Sequence, residues 1–161
     1  MGVSAPSAYH HFHNLEAIAA GLVEQGSAEL STRLREAVGQ TNTLLRTGEA
    51  YVAFAKANPA LYRLMFGEGF SIEVRNSRAM KALREDALEI IKSRLPSDLS
   101  PDRQSVAALY LWSLVHGLAL LVIDGHLNGR LPKNVVQEIL RFGGSSLASI
   151  EAARGERRNV R

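Results

Sequence analysis

The sequence predicts an all-α helical bundle, and three observations carry that expectation. Apolar residues recur at helical spacings over most of the 161 residues. No stretch alternates apolar and polar residues as a half-buried strand would, and no segment repeats another. Prolines fall between the periodic segments, where they end or open helices rather than interrupt them.

A short first helix is expected after Ser4, a good N-cap, with Pro6 in its first turn and its end near His11 or Phe12. After a corner at His13, Asn14 can cap a second, long helix with Glu16 in its first turn. Ile18, Leu22, Leu30, Leu34 and Val38 would form its apolar face, and Gly39 suits its end. Another helix spans Thr43 to Ala57, with Tyr51, Phe54 and Ala55 on one side. Asn58-Pro59 breaks it, because a residue before proline avoids the helical region. Pro59 then opens a short helix closed by Gly67 and Gly69. From about Glu73 to Leu95 one helix would turn Met80, Leu83, Ala87, Ile90 and Ile91 inward, leaving Lys81, Arg84, Glu85 and Glu89 in water. After a linker from Pro96 to Pro101, Ser100 can cap an apolar helix. Asn128, Gly129 and Pro132 make the next turn, and a last helix runs from Lys133 to about Ala153.

Composition narrows the function classes. Without cysteine there is no disulfide, thiolate metal site or cysteine nucleophile, which fits a cytoplasmic setting. The N-terminus lacks the basic-then-apolar pattern of a secretory signal. Net charge is +3, yet Arg154, Arg157, Arg158 and Arg161 lie in the tail, and Arg33 is the first cation of the chain. Such a tail reads as a solvated terminus. Val106 to Ile123 is free of formal charge and near the lower limit for a membrane span. Ser113, His116 and Gly117 in its middle favour the central helix of a bundle that also packs on a partner. No nucleophile–base pair, phosphate loop or metal set is evident, so neither an enzyme nor a cofactor is expected. His10 and His13 could share a helix face, but no carboxylate or cysteine lies nearby to complete a metal site.

The first motif is Gly2-Val3-Ser4, then Ala8-Tyr9-His10-His11-Phe12, then Leu15-Glu16. Physically it is a turn, a short helix, a corner and a second helix. Val3, Ala8 and Phe12 would anchor the short helix, which could lie in a major groove. The pattern resembles the second half of the helix-turn-helix of the TetR family of transcriptional regulators. The resemblance implies that Ser4, Ala5, Pro6, Ser7, Tyr9, His10 and His11 face DNA. Ser7 would bond bases, Ala5 and Pro6 pack on them, and Tyr9 and His11 touch phosphate. Two departures bear on affinity. The family places two more helices before this point, whereas Met1 falls in the turn ahead of the recognition helix. It also usually has Lys where Leu15 stands, and phosphate affinity leans on such cations. The expectation is therefore an N-terminally truncated chain that binds operator DNA weakly or not at all.

The second constellation is YVAFAKANPALYRLMFG with LYLWSLVHGLALL, in which Trp112 and His116 stand four apart on one helix face. An aromatic plate and a titratable ring could line a cavity between helices, or simply fill a core. This pair resembles the regulatory domain of TetR relatives with a Trp-x-x-x-His-Gly signature. The resemblance implies a small apolar or aromatic effector held by Tyr51, Phe54, Tyr62, Met65, Phe66, Phe70, Trp112 and His116. Related regulators dimerise through their last two helices. Here that implies a homodimer interface of Leu118, Leu121, Val122, Val136, Leu140, Gly143, Gly144 and Leu147. Glycines inside a helix cost about 1 kcal/mol each relative to alanine, which close approach of another backbone would offset.

The fold is thus expected to be a TetR-like helical bundle with a remnant of the N-terminal helix-turn-helix domain. Residues 1–27 would form that remnant, 28–154 the ligand-binding and dimerisation domain, and 155–161 a basic tail. The implied function is a ligand-responsive regulator, acting as a repressor, that binds operator DNA as a dimer. The alternative is a dimeric small-molecule-binding module without DNA affinity of its own.

Overall fold

The computed structural model describes residues 5–38, 43–67, 71–127 and 134–143, with residues 5–14, 43, 72 and 75 described as backbone. Ser4, Phe70, Gly144, Leu147, the turn around Gly129 and the basic tail lie outside them. Every regular element among the described residues is a helix: α1 (Ala5–Val38), α2 (Thr43–Ala57), α3 (Pro59–Phe66), α4 (Ile72–Arg75), α5 (Arg78–Lys92), α6 (Pro101–Ile123) and α7 (135–143). Helix α1 is the spine, packing on α2, α3, α4 and α5, while α6 lies against α2 and α5.

The chain departs from the expected N-terminal pattern. No corner separates a short helix from a long one; α1 runs unbroken for 34 residues. Nothing between Ser7 and Gly21 is Pro or Gly, and Asn14 costs only a fraction of a kcal/mol inside a helix (about 0.7 or less), so the backbone ladder continues through it.

The buried stripe of α1 also differs. Leu30 and Leu34 are in the core, but Ile18 is 59% and Leu22 44% exposed, with Leu15 beside them at 52%. A spacing of four overshoots a turn by about 40°, so repeated fours wind off the buried face. Ala19, Val23, Gly26, Ser27, Leu30, Leu34 and Ala37 keep the true period and are buried. The small members of that stripe permit close packing. A Cβ added to Gly26 would lie 2.8 Å from Met65 Sδ and 3.1 Å from Leu61. At the next residue, Ser27 Oγ donates to the Val23 carbonyl at 2.6 Å and lies 3.1 Å from Met80 Sδ. So α3 and α5 each seat a methionine on the same step of α1.

The expected Glu73–Leu95 helix is divided. Ser77 accepts a hydrogen bond from Met80 N at 3.4 Å and starts α5 afresh, leaving α4 as a single turn. Ser100 occupies the N-cap position of α6 without a side-chain bond, Pro101 following it at the first helical position. At the other end Gly125 adopts φ 75°. Gly125 N–H bonds the Val122 carbonyl and His126 N–H the Leu121 carbonyl, a Schellman closure that stops the helix. Arg63 of α3 reaches this end, bonding Asp124 at 2.6 Å and the Ile123 carbonyl at 3.2 Å. Between α1 and α5, Arg35 pairs with Asp86.

Helix α6 is long and apolar enough to cross a membrane by length and composition. In the fold, Ala107, Ala108, Val115, Leu118 and Ala119 enter the core, while Val106, Leu109, Tyr110 and Leu121 are exposed. Helix α7 packs closely: a Cβ on Gly48 would meet Leu140 at 2.9 Å, and one on Gly143 would collide with Leu114. Gly143 therefore permits a close approach within the chain. Leu118, 3% exposed, lies in the chain's own core.

The two glycines of α1 give opposite expectations. Gly26→Leu should destabilise the fold by about 1–3 kcal/mol through overpacking against Met65 and Leu61. Gly21 has open space around an added Cβ, so Gly21→Ala should gain up to about 1 kcal/mol of helix propensity. Chemical denaturation of both variants checks the contrast.

Candidate functional site

Four rings cluster where α2, α3 and α6 meet. Tyr51 and Tyr62 stand edge to face at 5.9 Å, and Phe66 lies 4.8 Å from both Tyr62 and His116. The proline break after α2 makes this possible, since α3 turns back and brings Tyr62 and Phe66 to the face that carries Tyr51. At the centre, His116 Nδ1 is 2.7 Å from Tyr62 Oη and 3.0 Å from Tyr51 Oη, and the two hydroxyls are 3.2 Å apart.

Counting protons assigns the tautomer. With Nδ1 as acceptor, Tyr62 donates to the imidazole and Tyr51 to either neighbour, so both phenolic protons are placed. With a proton on Nδ1, three donors would share two acceptor oxygens, and one phenolic proton would be stranded. The neutral imidazole thus carries its hydrogen on Nε2, which has no partner among the described residues. Burial raises the Tyr51 hydroxyl to about 12, opposed by weaker interactions with Tyr62 and Trp112. Burial also drives Tyr62 far upward, and it lowers the His116 imidazole from its ordinary range. All three groups are uncharged near neutrality. Trp112 Nε1 is buried and outside hydrogen-bonding geometry with every described acceptor, although its dipole still acts on the Tyr51 hydroxyl.

Beside this cluster lies a cavity of about 360 Å³. Met65 and Phe66 of α3, with Trp112 and His116 of α6, form one side. Asn76, Met80 and Arg84 from the α4–α5 junction, and Leu109 and Ser113 of α6, complete it. A second cavity of about 60 Å³, lined by Tyr51, Thr47 and Leu140 among others, sits behind Trp112. It has room for about two waters, since each takes about 30 Å³ in the liquid, so the larger cavity is the one of ligand size. Trp112 lines both and is the wall between them.

Of the expected effector residues, Met65, Phe66, Trp112 and His116 line the larger cavity. Tyr51 and Tyr62 stand behind His116 and orient it. Phe54 is fully buried, lines neither cavity, and takes the Arg33 guanidinium over its ring at 5.8 Å. Phe70 lies outside the described residues. Arg84, expected in water, is half-buried at the cavity instead. The missed signal was its position: four residues after Met80, it shares that residue's side of α5. Leu109 and Ser113 follow likewise from their spacing to Trp112 and His116. Ala5, Pro6, Ser7, Tyr9, His10 and His11 fall on the first turns of α1. Among the described residues no three His, Asp or Glu side chains gather into a metal set.

Because His116 resists protonation in the fold, the unfolded chain binds that proton first. Stability should therefore decline as pH falls below about 6.5, the ordinary imidazole value, and recover above it. His116→Gln should flatten this part of the profile, as read from denaturation midpoints between pH 5 and 8.

A family model described as the tetracyclin repressor-like C-terminal domain matches residues 44–143. The HTH-type transcriptional regulator YobS of Bacillus subtilis (strain 168), itself uncharacterized, is 27% identical over 126 residues. That alignment takes in 76% of this chain and 63% of the relative's length. A solved protein of unknown function from Rhodococcus sp. RHA1 superposes with a TM-score of 0.66 at 28% identity, covering 90% of this chain and 77% of that one. With that domain matched from α2 to α7, over more than half of the chain, and every regular element among the described residues helical, the chain belongs to the TetR family.

Proposed function

We propose that the chain is the sensing and dimerising part of a ligand-responsive transcriptional repressor of the cytoplasm, released from operator DNA by a small, largely apolar or aromatic effector. The observation that carries this reading is the position of two cavity-lining methionines. Met65 faces α1 at Gly26, and Met80 at Ser27. Methionine is unbranched and adapts its shape readily, so a ligand that displaces either side chain presses on α1 directly. An arrangement of the bundle that favours the ligand-bound cavity would thereby change the seat of the helix leading to the DNA-reading residues.

A second reading, a dimeric binding module without DNA affinity, is favoured by one observation. The continuous course of α1 through Asn14 removes the corner expected between the DNA-facing helix and the long helix that follows it. Leu15 in place of a cation acts in the same direction. Gel shifts at low salt separate the two: nanomolar, sequence-specific binding by this polypeptide would eliminate the second.

For self-association, α6 presents Val106, Tyr110, Ser113, Gly117 and Leu121 along one side. A Cβ on Gly117 would meet nothing within 4 Å among the described residues, so its small size serves no described neighbour. Val122, Val136 and Leu140 are half-buried and pack against the chain's own core, and Phe142 is 70% exposed. An isologous four-helix interface would cover this apolar face.

Two outcomes test the reading. Leu121→Arg should convert a dimer to a monomer in sedimentation at micromolar concentration, without loss of helicity. An effector found by thermal-shift screening should slow hydrogen exchange in α1 around Gly26 and Ser27, and Ser113→Trp, which fills the cavity, should abolish both the shift and the protection. Binding that leaves exchange in α1 unchanged would refute the proposed coupling.

A further inference from the structure

We propose that the 360 Å³ cavity takes an organic anion, its acidic group on the Arg84 guanidinium and its apolar body between Trp112, Phe66 and the two methionines. The inference rests on the reading of this cavity as the effector site and narrows the class of effector.

The arginine guanidinium is a planar cation with a fork of donors that matches an oxyanion. Of the five N–H groups of Arg84, that on Nε goes to the Met80 carbonyl at 3.2 Å and one on Nη2 to Asn76 Oδ1 at 3.3 Å. The others have no partner among the described residues, and no described carboxylate lies within ion-pair distance. Arg33, Arg35, Arg46, Arg63 and Arg141, by contrast, each pair with an acidic side chain. Arg84 is thus a half-buried cation at a cavity mouth, held in place by neutral acceptors with part of its fork unused. None of the cavity-lining residues is acidic. The unpartnered Nε2–H of His116, across the cavity, adds a second donor and no charge. Donors without acceptors, set in an apolar wall, match a carboxylate or similar oxyanion on an aromatic or aliphatic body.

The test separates charge recognition from cavity binding. N-phenyl-1-naphthylamine, a neutral fluorescent probe, reports occupation of the cavity; 2-naphthylacetate and 2-naphthylacetamide are competitors of nearly equal shape. The acid should displace the probe at a concentration at least about tenfold below that of the amide, as expected for a charged hydrogen-bonded pair. Arg84→Gln should erase that difference, read as the ratio of the two competitors' displacing concentrations within the variant itself. Arg84→Lys should retain part of it, and added salt should narrow the gap in the unaltered protein without any substitution. Equal competition by acid and amide, or a preference that survives Arg84→Gln, overturns the proposal while the cavity reading stands. Failure of the neutral probe and both competitors to bind overturns the two together.

Discussion

The structure depends on how closely α1 approaches α3 and α5 at Gly26 and Ser27. A side chain of ordinary size at Gly26 would push out Met65 and Leu61, and with them α3. Ser27 satisfies its own hydroxyl on the Val23 carbonyl of α1, so it can face the Met80 sulfur in the core without an orphaned polar group. The same two methionines are then wall on one side and helix contact on the other. Bundle stability and cavity shape are therefore not independent properties of this chain.

The polar cluster of Tyr51, Tyr62 and His116 is a second constraint, of a different kind. Three hydrogen-bonding groups are taken from water into the middle of the bundle, and they satisfy one another with no charge. Burial makes each of them resist ionisation, so the arrangement keeps one protonation state over a wide pH range. Half-satisfied, such a group of atoms would cost more than an apolar core; complete, it holds α2, α3 and α6 in one relative arrangement. The His116 ring reaches the cavity in a defined orientation because the tyrosines behind it leave it no other.

Much of this was legible in the amino-acid sequence, and the failures share a cause. The end of α2 and the starts of α3 and α6 follow from Pro59 and Pro101, whose covalent geometry acts locally. Trp112 and His116 were found because their spacing of four is a one-turn relation within a single helix. Errors arose where small or polar residues do the packing. Ala19, Gly26 and Ser27 hide the buried face of α1 from a count of large apolar residues, and Ile18 and Leu22 attract it wrongly. Arg84 looked solvated because a cation on an amphipathic helix usually is; only the neighbouring α4–α5 junction and α6 show that a cavity lies beside it. Phe54 and Phe66 are equally aromatic in sequence, and nothing short of tertiary packing tells that one is core and the other wall. The continuous α1 is the reverse case: Asn14 offered itself as the cap of a new helix, yet the backbone ladder runs through it.

The unbroken course of α1 has a mechanical consequence. At about 1.5 Å of rise per residue, Gly26 stands about 32 Å from Ala5 along the helix axis. A rigid rod pivoting where the methionines press on it multiplies motion: a tilt of about 5° carries the far tip through about 3 Å. A displacement at the fulcrum small enough for one thioether to absorb or transmit would thus be read, at the opposite end, as a shift comparable to the spacing of successive base pairs.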